Sequence, residues 1–292
     1  MEAHNVPLER IKELQAATII DVSHPVRGTQ PLAILNVSNV SDEGRIKHVQ
    51  ANIKRDVMRF CDLPRHVARN EPLALIAGGP SVRKHLKEIK KYNQIWACGS
   101  VHDYLVEQGI TPSFASACDA LPDQLDHFRK PQKKTSYFIA SQCDPRLFDM
   151  LEGHKIALWH FDGQIPKEHY QGEEAVGWGC MITIISMTLA LQMGFQEIHI
   201  YGMDCCLDEN TTHAYNVPES EYMRSVSGEV FVGMLQKRFV TTMSLMLQCD
   251  EFFRLLKSEF GRYLKCYIHG GGMLAEVIKQ SPPEMKRWVE AA

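Results

Sequence analysis

The chain has 292 residues, 45% of them hydrophobic and 23% charged, with 32 Lys and Arg against 35 Asp and Glu. That composition argues against a disordered chain, a collagen-like repeat or a small disulfide-stapled scaffold, and the length suits one large domain or a domain with a small appendage. A formal charge of −3 argues against a globally basic nucleic-acid binder, while a local basic face at Arg83, Lys84, Lys87, Lys90 and Lys91 stays compatible with a polyanionic ligand.

In chain order, residues 8–16 and Glu43 to Phe60 read as helices, the second on the helical recurrence of Ile46, Val49, Ile53, Val57 and Phe60. Between them, Thr18 to Val22 and Pro31 to Val37 read as two short strands. Residues 1–60 are therefore expected to form an N-terminal appendage or cap, and residues 61–292 the main body. Glu2, Glu9, Arg10, Lys12, Glu13 and Asp21 interrupt the first 25 residues, so a secretory leader is not expected and the expected compartment is cytoplasmic.

From residue 73 onward, short apolar runs alternate with amphipathic stretches: LALIAG (73–78), IWACG (95–99), FASACD (114–119), SYFIA (136–140), KIALWH (155–160), EIHIYG (197–202) and LKCYIHG (264–270). This alternation predicts an α/β fold with a mainly parallel sheet and helices on both faces. Met181 to Phe195 is apolar but broken by Thr183, Ser186, Thr188 and Gln192; it falls short of a membrane span and reads as a buried helix. Val230 to Leu256 reads as one long helix able to supply a homo-oligomer interface. The nine cysteines show no C-x-x-C pair and no zinc spacing, so they are expected as reduced thiols in the core, with no metal site.

In open α/β sheets ligands bind outside the carboxyl ends of the strands, which directs attention to strand-end residues. At the first corner Gly78, Gly79, Pro80 and Ser81 follow an apolar strand and precede a helix. Glycines let a ligand approach the backbone and helix-start amides attract phosphate, although a tight turn without ligand fits the same residues. The turn has neither dinucleotide-fingerprint nor Walker spacing. Gly99 and Ser100 form a second corner, joined by Asp119, which suits a ribose hydroxyl, a water-held cation or a simple cap. Gly177, Trp178, Gly179 and Cys180 open the apolar helix as an anion or stacking platform, or as packing alone.

The densest titratable cluster follows Gly202 and Asp204: Asp208, Glu209, Thr211, Thr212, His213, Tyr215 and Asn216. His213 is the best general-base candidate, because an imidazole near its reference pKa of ~6.5 exchanges protons at neutral pH. Gly270 and Gly271, after His269, permit close approach of a ligand or merely a flexible turn.

Taken in order, LIAGGPSV (75–82), the Gly99 and Asp119 strand ends, MGFQEIHIYGMDCC (193–206) and KCYIHGGGMLAEVI (265–278) resemble one superfamily over roughly residues 45–280. It contains the motility accessory factors implicated in flagellin glycosylation, the 6-hydroxymethylpterin diphosphokinases and the bacterial CMP-sialic-acid-dependent sialyltransferases. The Thr-His-Ala segment after the Gly-x-Asp strand end makes the accessory-factor branch the closer likeness. The sialyltransferases carry a tyrosine near the position of His213 and a catalytic histidine farther along, and residues 217–240 contain none.

The resemblance implies a Rossmann-like nucleotide-binding transferase domain, with nucleotide phosphates near Gly78, Gly79, Pro80 and Ser81. Asp204 and residues 212–215 would border the acceptor. It implies a glycosyltransferase using a nucleotide-activated sugar (CMP-, UDP- or GDP-linked). His213 and Asp204 would serve as catalytic groups. Gly99, Ser100, Asp119, Gly179, Tyr215, Gly270 and Gly271 would serve donor binding. The acceptor stays open between a glycan, a protein, a nucleic-acid base and a pterin. Two alternatives are pyrophosphoryl transfer from ATP with Mg²⁺, drawing on Asp119, Asp204 and Asp208, and nucleotide binding without catalysis.

Overall fold

A computed structural model describes residues 17–24, 28–35, 40–161, 165–177, 179, 181–208, 211–217, 227–258, 261, 264–281 and 289–291; for 17–24, 28–35, 234 and 289–291 it describes the backbone alone. The chain divides into two compact units, Met1–Ser41 and Asp42–Ala292. The boundary falls before the one expected at residue 60. In the first unit β1 (Ala17–His24) and β2 (Gly28–Leu35) pair antiparallel from Ala17 opposite Leu35 to His24 opposite Gly28. The expected helix at residues 8–16 lies outside the described residues.

The second unit begins with α1 (Asp42–Asn52). The helix expected as far as Phe60 stops at Asn52 because Arg59 gathers the following chain around its guanidinium. That group donates to the carbonyl oxygens of Ile53 (2.6 Å), Val57 (2.8 Å) and Arg55 (3.3 Å) and pairs with Glu173. β3 (Met58–Arg59) then joins the large sheet, and Phe60 packs edge-on against Phe138 with no exposed surface. The unit continues as β4 (Leu73–Ile76), α2 (Val82–Ile89), β5 (Gln94–Cys98), α3 (Val101–Glu107), β6 (Phe114–Ala117), β7 (Ser136–Ala140), α4 (Pro145–Met150) and β8 (Lys155–Phe161). It is completed by β9 (Ala175–Gly177), α5 (Ile182–Gln192), β10 (Glu197–Tyr201), β11 (Gly228–Val232), β12 (Lys237–Thr241), α6 (Met243–Lys257), β13 (Lys265–His269), α7 (Met273–Gln280) and β14 (Val289–Ala291).

The large sheet runs β14-β13-β10-β4-β5-β6-β7-β8-β3, with β9 also on β8, and every pairing in it is parallel. β4 and β6 are buried at every position, the pattern of strands covered on both faces. Trp96, Phe114 and Phe138 stack at centroid distances of 4.9–5.8 Å in the middle of this core, and each such ring contributes about 1.5–3 kcal/mol by leaving water. All seven runs read from the sequence are strands. β4 is the pivot: the chain leaves it toward β5 on one side and returns as β10 on the other. The crevice at such a reversal is where open α/β sheets bind ligands.

Val230 to Leu256 is not one helix. Residues 228–241 form the antiparallel β11–β12 hairpin, turned at Gly233 and at a left-handed Gln236 (φ 49°), and α6 starts only at Met243. Thr242 stops the helix from extending backward, because its extended backbone lets the hydroxyl accept the Leu245 amide at 3.3 Å. α5 is the expected buried apolar helix, and among the described residues no helix is long and apolar enough to cross a membrane. The eight described cysteines are all unpaired with one another as disulfides.

Candidate functional site

Because the sheet is parallel, the turns after β4, β5, β6, β10 and β13 share one edge, and the sequence-predicted residues divide there into two clusters. In the first, the loop of residues 211–217 folds back over the Gly78 turn. The Ala214 amide donates to the Gly78 carbonyl at 2.9 Å, and Arg83 of α2 holds the loop, donating to the carbonyl oxygens of Ala214 (2.7 Å) and His213 (3.3 Å). Gly78 has no room for a side chain: a Cβ there would lie 2.7 Å from both His213 Cδ2 and Tyr215 Oη. Tyr215 reaches the turn after β5, where its hydroxyl meets Ser100 Oγ at 2.6 Å and its ring stacks on Tyr104 of α3 at 5.1 Å. His213 Nδ1 lies 3.1 Å from Thr212 Oγ1. Gly78, Ser100, His213 and Tyr215 thus converge beside the sheet reversal.

The second cluster joins Ser81 to Asp204. The Ser81 amide donates to Asp204 Oδ2 at 3.0 Å and the Ser81 hydroxyl to Oδ1 at 2.5 Å. The position at the start of α2 where a phosphate was expected holds the chain's own carboxylate. The helix dipole accounts for this, since a helix start draws an anion and Asp204 arrives at the end of the neighbouring strand. The Gly79 amide is spent as well, on the Gly202 carbonyl at 2.9 Å. Gly202 takes a positive φ of 74°, where a Cβ would strike Val82 and the Ala77 carbonyl, and this bend turns Asp204 inward. Asp204 is 7% exposed. Burial pushes its carboxyl above the ordinary value, with the two bonds from Ser81 pulling partly back. Its carbonyl accepts the Met273 amide at 2.9 Å, tying α7 to the same point. Asp204 thereby holds the Gly78–Ser81 turn and the start of α7 together.

The remaining predicted residues are less involved. Gly99 (φ 59°) gives its amide to the Ser116 carbonyl and faces Ile182. The Pro80 carbonyl accepts the Arg83 amide at 3.4 Å. Asp119 is exposed, with Oδ1 accepting the Leu121 amide at 3.1 Å in a local turn. Gly179 (φ 129°) lies against Ile184, Gly270 against Ser81, and Gly271 has nothing within 4 Å of a would-be Cβ. Trp178, Cys180 and Glu209 lie outside the described residues. Among the described residues no three His, Cys, Asp or Glu side chains gather as metal ligands.

Two groups here carried no site signal of their own in the sequence. Arg83 read only as part of a basic face, and Tyr104 acts through a partner, Tyr215, that folding supplies. A further cluster spans β10, β13 and α2. His269 Nε2 and His199 Nδ1 are 2.8 Å apart, Tyr201 stacks on His269 at 4.3 Å, and Glu88 and His85 face the same ring.

The family model described as MptE-like, 6-hydroxymethylpterin diphosphokinase MptE-like, matches residues 46–210, more than half of the chain. The chain belongs to the MptE-like family. The match covers the turn at Gly78–Ser81, Ser100, Asp119 and Asp204, and ends before His213 and Tyr215. Among solved structures, the MptE-like chain is similar to the MAf glycosyltransferase from Magnetospirillum magneticum AMB-1, with a TM-score of 0.57 and 15% identity over 82% of this chain and 38% of that one. This likeness establishes the Rossmann-like fold, and the chain spans well under half of that protein's length. A mammalian sialyltransferase in complex with Gal-beta-1-3GalNAc-ortho-nitrophenol is matched at a TM-score of 0.35 and 12% identity, over 62% of this chain and 72% of that one, a score too low to carry an argument. No curated protein matches the sequence.

Proposed function

We propose that this MptE-like chain is a transferase that takes a sugar from a nucleotide-activated donor, with the departing phosphate over Gly78 and His213 as the base. The observation that supports it most is the convergence of Gly78, Ser100, His213 and Tyr215 beside the sheet reversal. His213 Nδ1 lies beside Thr212 Oγ1, and in the tautomer that places the proton on Nδ1 the other ring nitrogen, Nε2, is the acceptor. That nitrogen accepts the acceptor hydroxyl's proton as the oxygen bonds the sugar's anomeric carbon and the bond from that carbon to the phosphate oxygen breaks. The Ser100–Tyr215 hydroxyl pair lies on the same side, as the kind of donor that meets charge developing on a leaving phosphate.

The family description favours a second reading, pyrophosphoryl transfer from ATP, which would normally call on Mg²⁺. The carboxylates it would use do not fit that role as they stand. Asp204 is committed to Ser81, Asp119 accepts the Leu121 amide, and among the described residues no three His, Cys, Asp or Glu side chains gather as metal ligands.

Thermal-shift and turnover assays with CMP-, UDP- and GDP-sugars, and with ATP plus Mg²⁺ and a hydroxymethylpterin, separate the readings. The first predicts stabilisation by one nucleotide-sugar family. It also predicts that His213→Ala abolishes transfer while leaving donor binding within a few-fold. Unchanged turnover in His213→Ala removes the histidine from the reaction. AMP release from ATP replaces the first reading by the second, and binding without turnover by any donor replaces both by a binding protein.

A further inference from the structure

We propose that Arg83 is the counter-ion for the donor's phosphate, doing through a side chain what the start of α2 would otherwise do through its amides; this rests on the donor reading above. The need comes from the second cluster. Asp204 has taken the Ser81 amide and hydroxyl, and the Gly79 amide is bonded to Gly202. A phosphate in this crevice therefore requires a cation from elsewhere, because charge on a leaving phosphate must be met by donors aimed at it.

Arg83 is exposed, and among the described residues it is paired with no carboxylate. Its bonds to Ala214 and His213 use Nε and one N–H of Nη2 on neutral carbonyls, leaving Nη1 and the other Nη2 proton uncommitted. The bonds fix the guanidinium at the backbone of the base itself. Its charge is felt at the Tyr104 hydroxyl, whose ring stacks on Tyr215. Helix energetics do not favour this placement. The first turn of α2 carries Arg83 and Lys84 and no acidic residue, although the positive end of a helix disfavours cations. A planar fork of donors suits two phosphate oxygens at once, which an ammonium does not match. The chemistry recognised is a phosphate or pyrophosphate, whether free or part of a nucleotide.

The test is calorimetric titration of the full chain with pyrophosphate, CMP, UMP, GMP and AMP, and with the matching nucleosides. The parent is compared with Arg83→Lys and Arg83→Gln. Both variants lose the double hold on the loop, which hydrogen exchange of residues 211–217 reports, but only Arg83→Gln loses the charge. Arg83→Gln is expected to weaken every phosphate-bearing probe at least tenfold, and Arg83→Lys to stay within about threefold of the parent. Nucleosides should bind all three chains alike. Equal weakening in both variants makes Arg83 a loop clamp only and overturns the proposal. No weakening in either also overturns it, while nucleotide binding by the parent would leave the donor reading standing. Pyrophosphate binding that depends on Arg83, with no gain from any nucleoside part, keeps the phosphate site and removes the nucleotide donor. A parent that binds no probe overturns both.

Discussion

Ser81→Ala tests whether the Asp204 carboxylate or an incoming phosphate owns the start of α2. Ser81 is 8% exposed, sits at φ −62° and ψ −23°, and makes no side-chain cap bond to α2. Alanine adopts that backbone without strain, so the substitution subtracts one hydroxyl and its 2.5 Å bond to a buried carboxylate. A hydrogen bond to an ionised group contributes about 1.5–3 kcal/mol. A loss of about 2 kcal/mol in a unit of this size lowers the Tm by roughly 4–8 °C.

The deficit also depends on pH. The folded pKa of Asp204 is raised above 3.8, so its contribution to stability is present below 3.8 and declines as pH rises through the folded value. Removing a bond that holds this pKa down raises it further. The Ser81→Ala deficit is then smallest in acid and full at neutral pH. Urea unfolding at a series of pH values measures it. A variant within about 0.5 kcal/mol of the parent at neutral pH, or a deficit flat with pH, refutes the reasoning. Undiminished stability together with weakened nucleotide binding would return the phosphate to Ser81.

Gly79→Ala places a Cβ 2.3 Å from the Gly202 carbonyl and 2.6 Å from Asp204 Oδ2, an overpacking expected to cost about 1–3 kcal/mol. Gly271→Ala meets nothing within 4 Å and should unfold within about 0.5 kcal/mol of the parent; the same denaturation assay compares the two. His269 is held down to about 4, first by burial, with His199 and His85 adding and Glu88 opposing. A histidine buried neutral contributes stability above its ordinary 6.5 that is lost as pH falls toward 4, and His269→Phe should flatten that part of the pH–stability curve. Burial pushes the Cys98 thiol up to about 12. Peptide mapping after iodoacetamide treatment at mild alkaline pH should find Cys98 modified only in the unfolded chain.

Seven of the ten parallel strands of the main sheet were legible in the sequence because each is a short, mainly apolar run, a pattern that needs no knowledge of its partners. The carboxyl-edge corners were legible for the same reason, being the Gly, Ser and Asp residues that end those runs. Helix ends were less legible. Val57 and Phe60 continue a helical recurrence in the sequence, but Arg59 draws in three carbonyl oxygens and the segment leaves the helix. In residues 228–241 the two-stranded hairpin depends on the turn geometry at Gly233 and Gln236.

His213 and the Gly78 turn could each be singled out by residue type, and residue type alone said that Ser81 and Asp204 were both candidates for the chemistry. Only folding shows that those two satisfy each other, and that Arg83 bonds the loop's carbonyl oxygens and pairs with no carboxylate among the described residues. Sequence fixes which groups can attract an anion or move a proton. Which of them stay available depends on the pairings made when distant strands are brought to a common edge, because a helix start accepts whichever anion the fold delivers first.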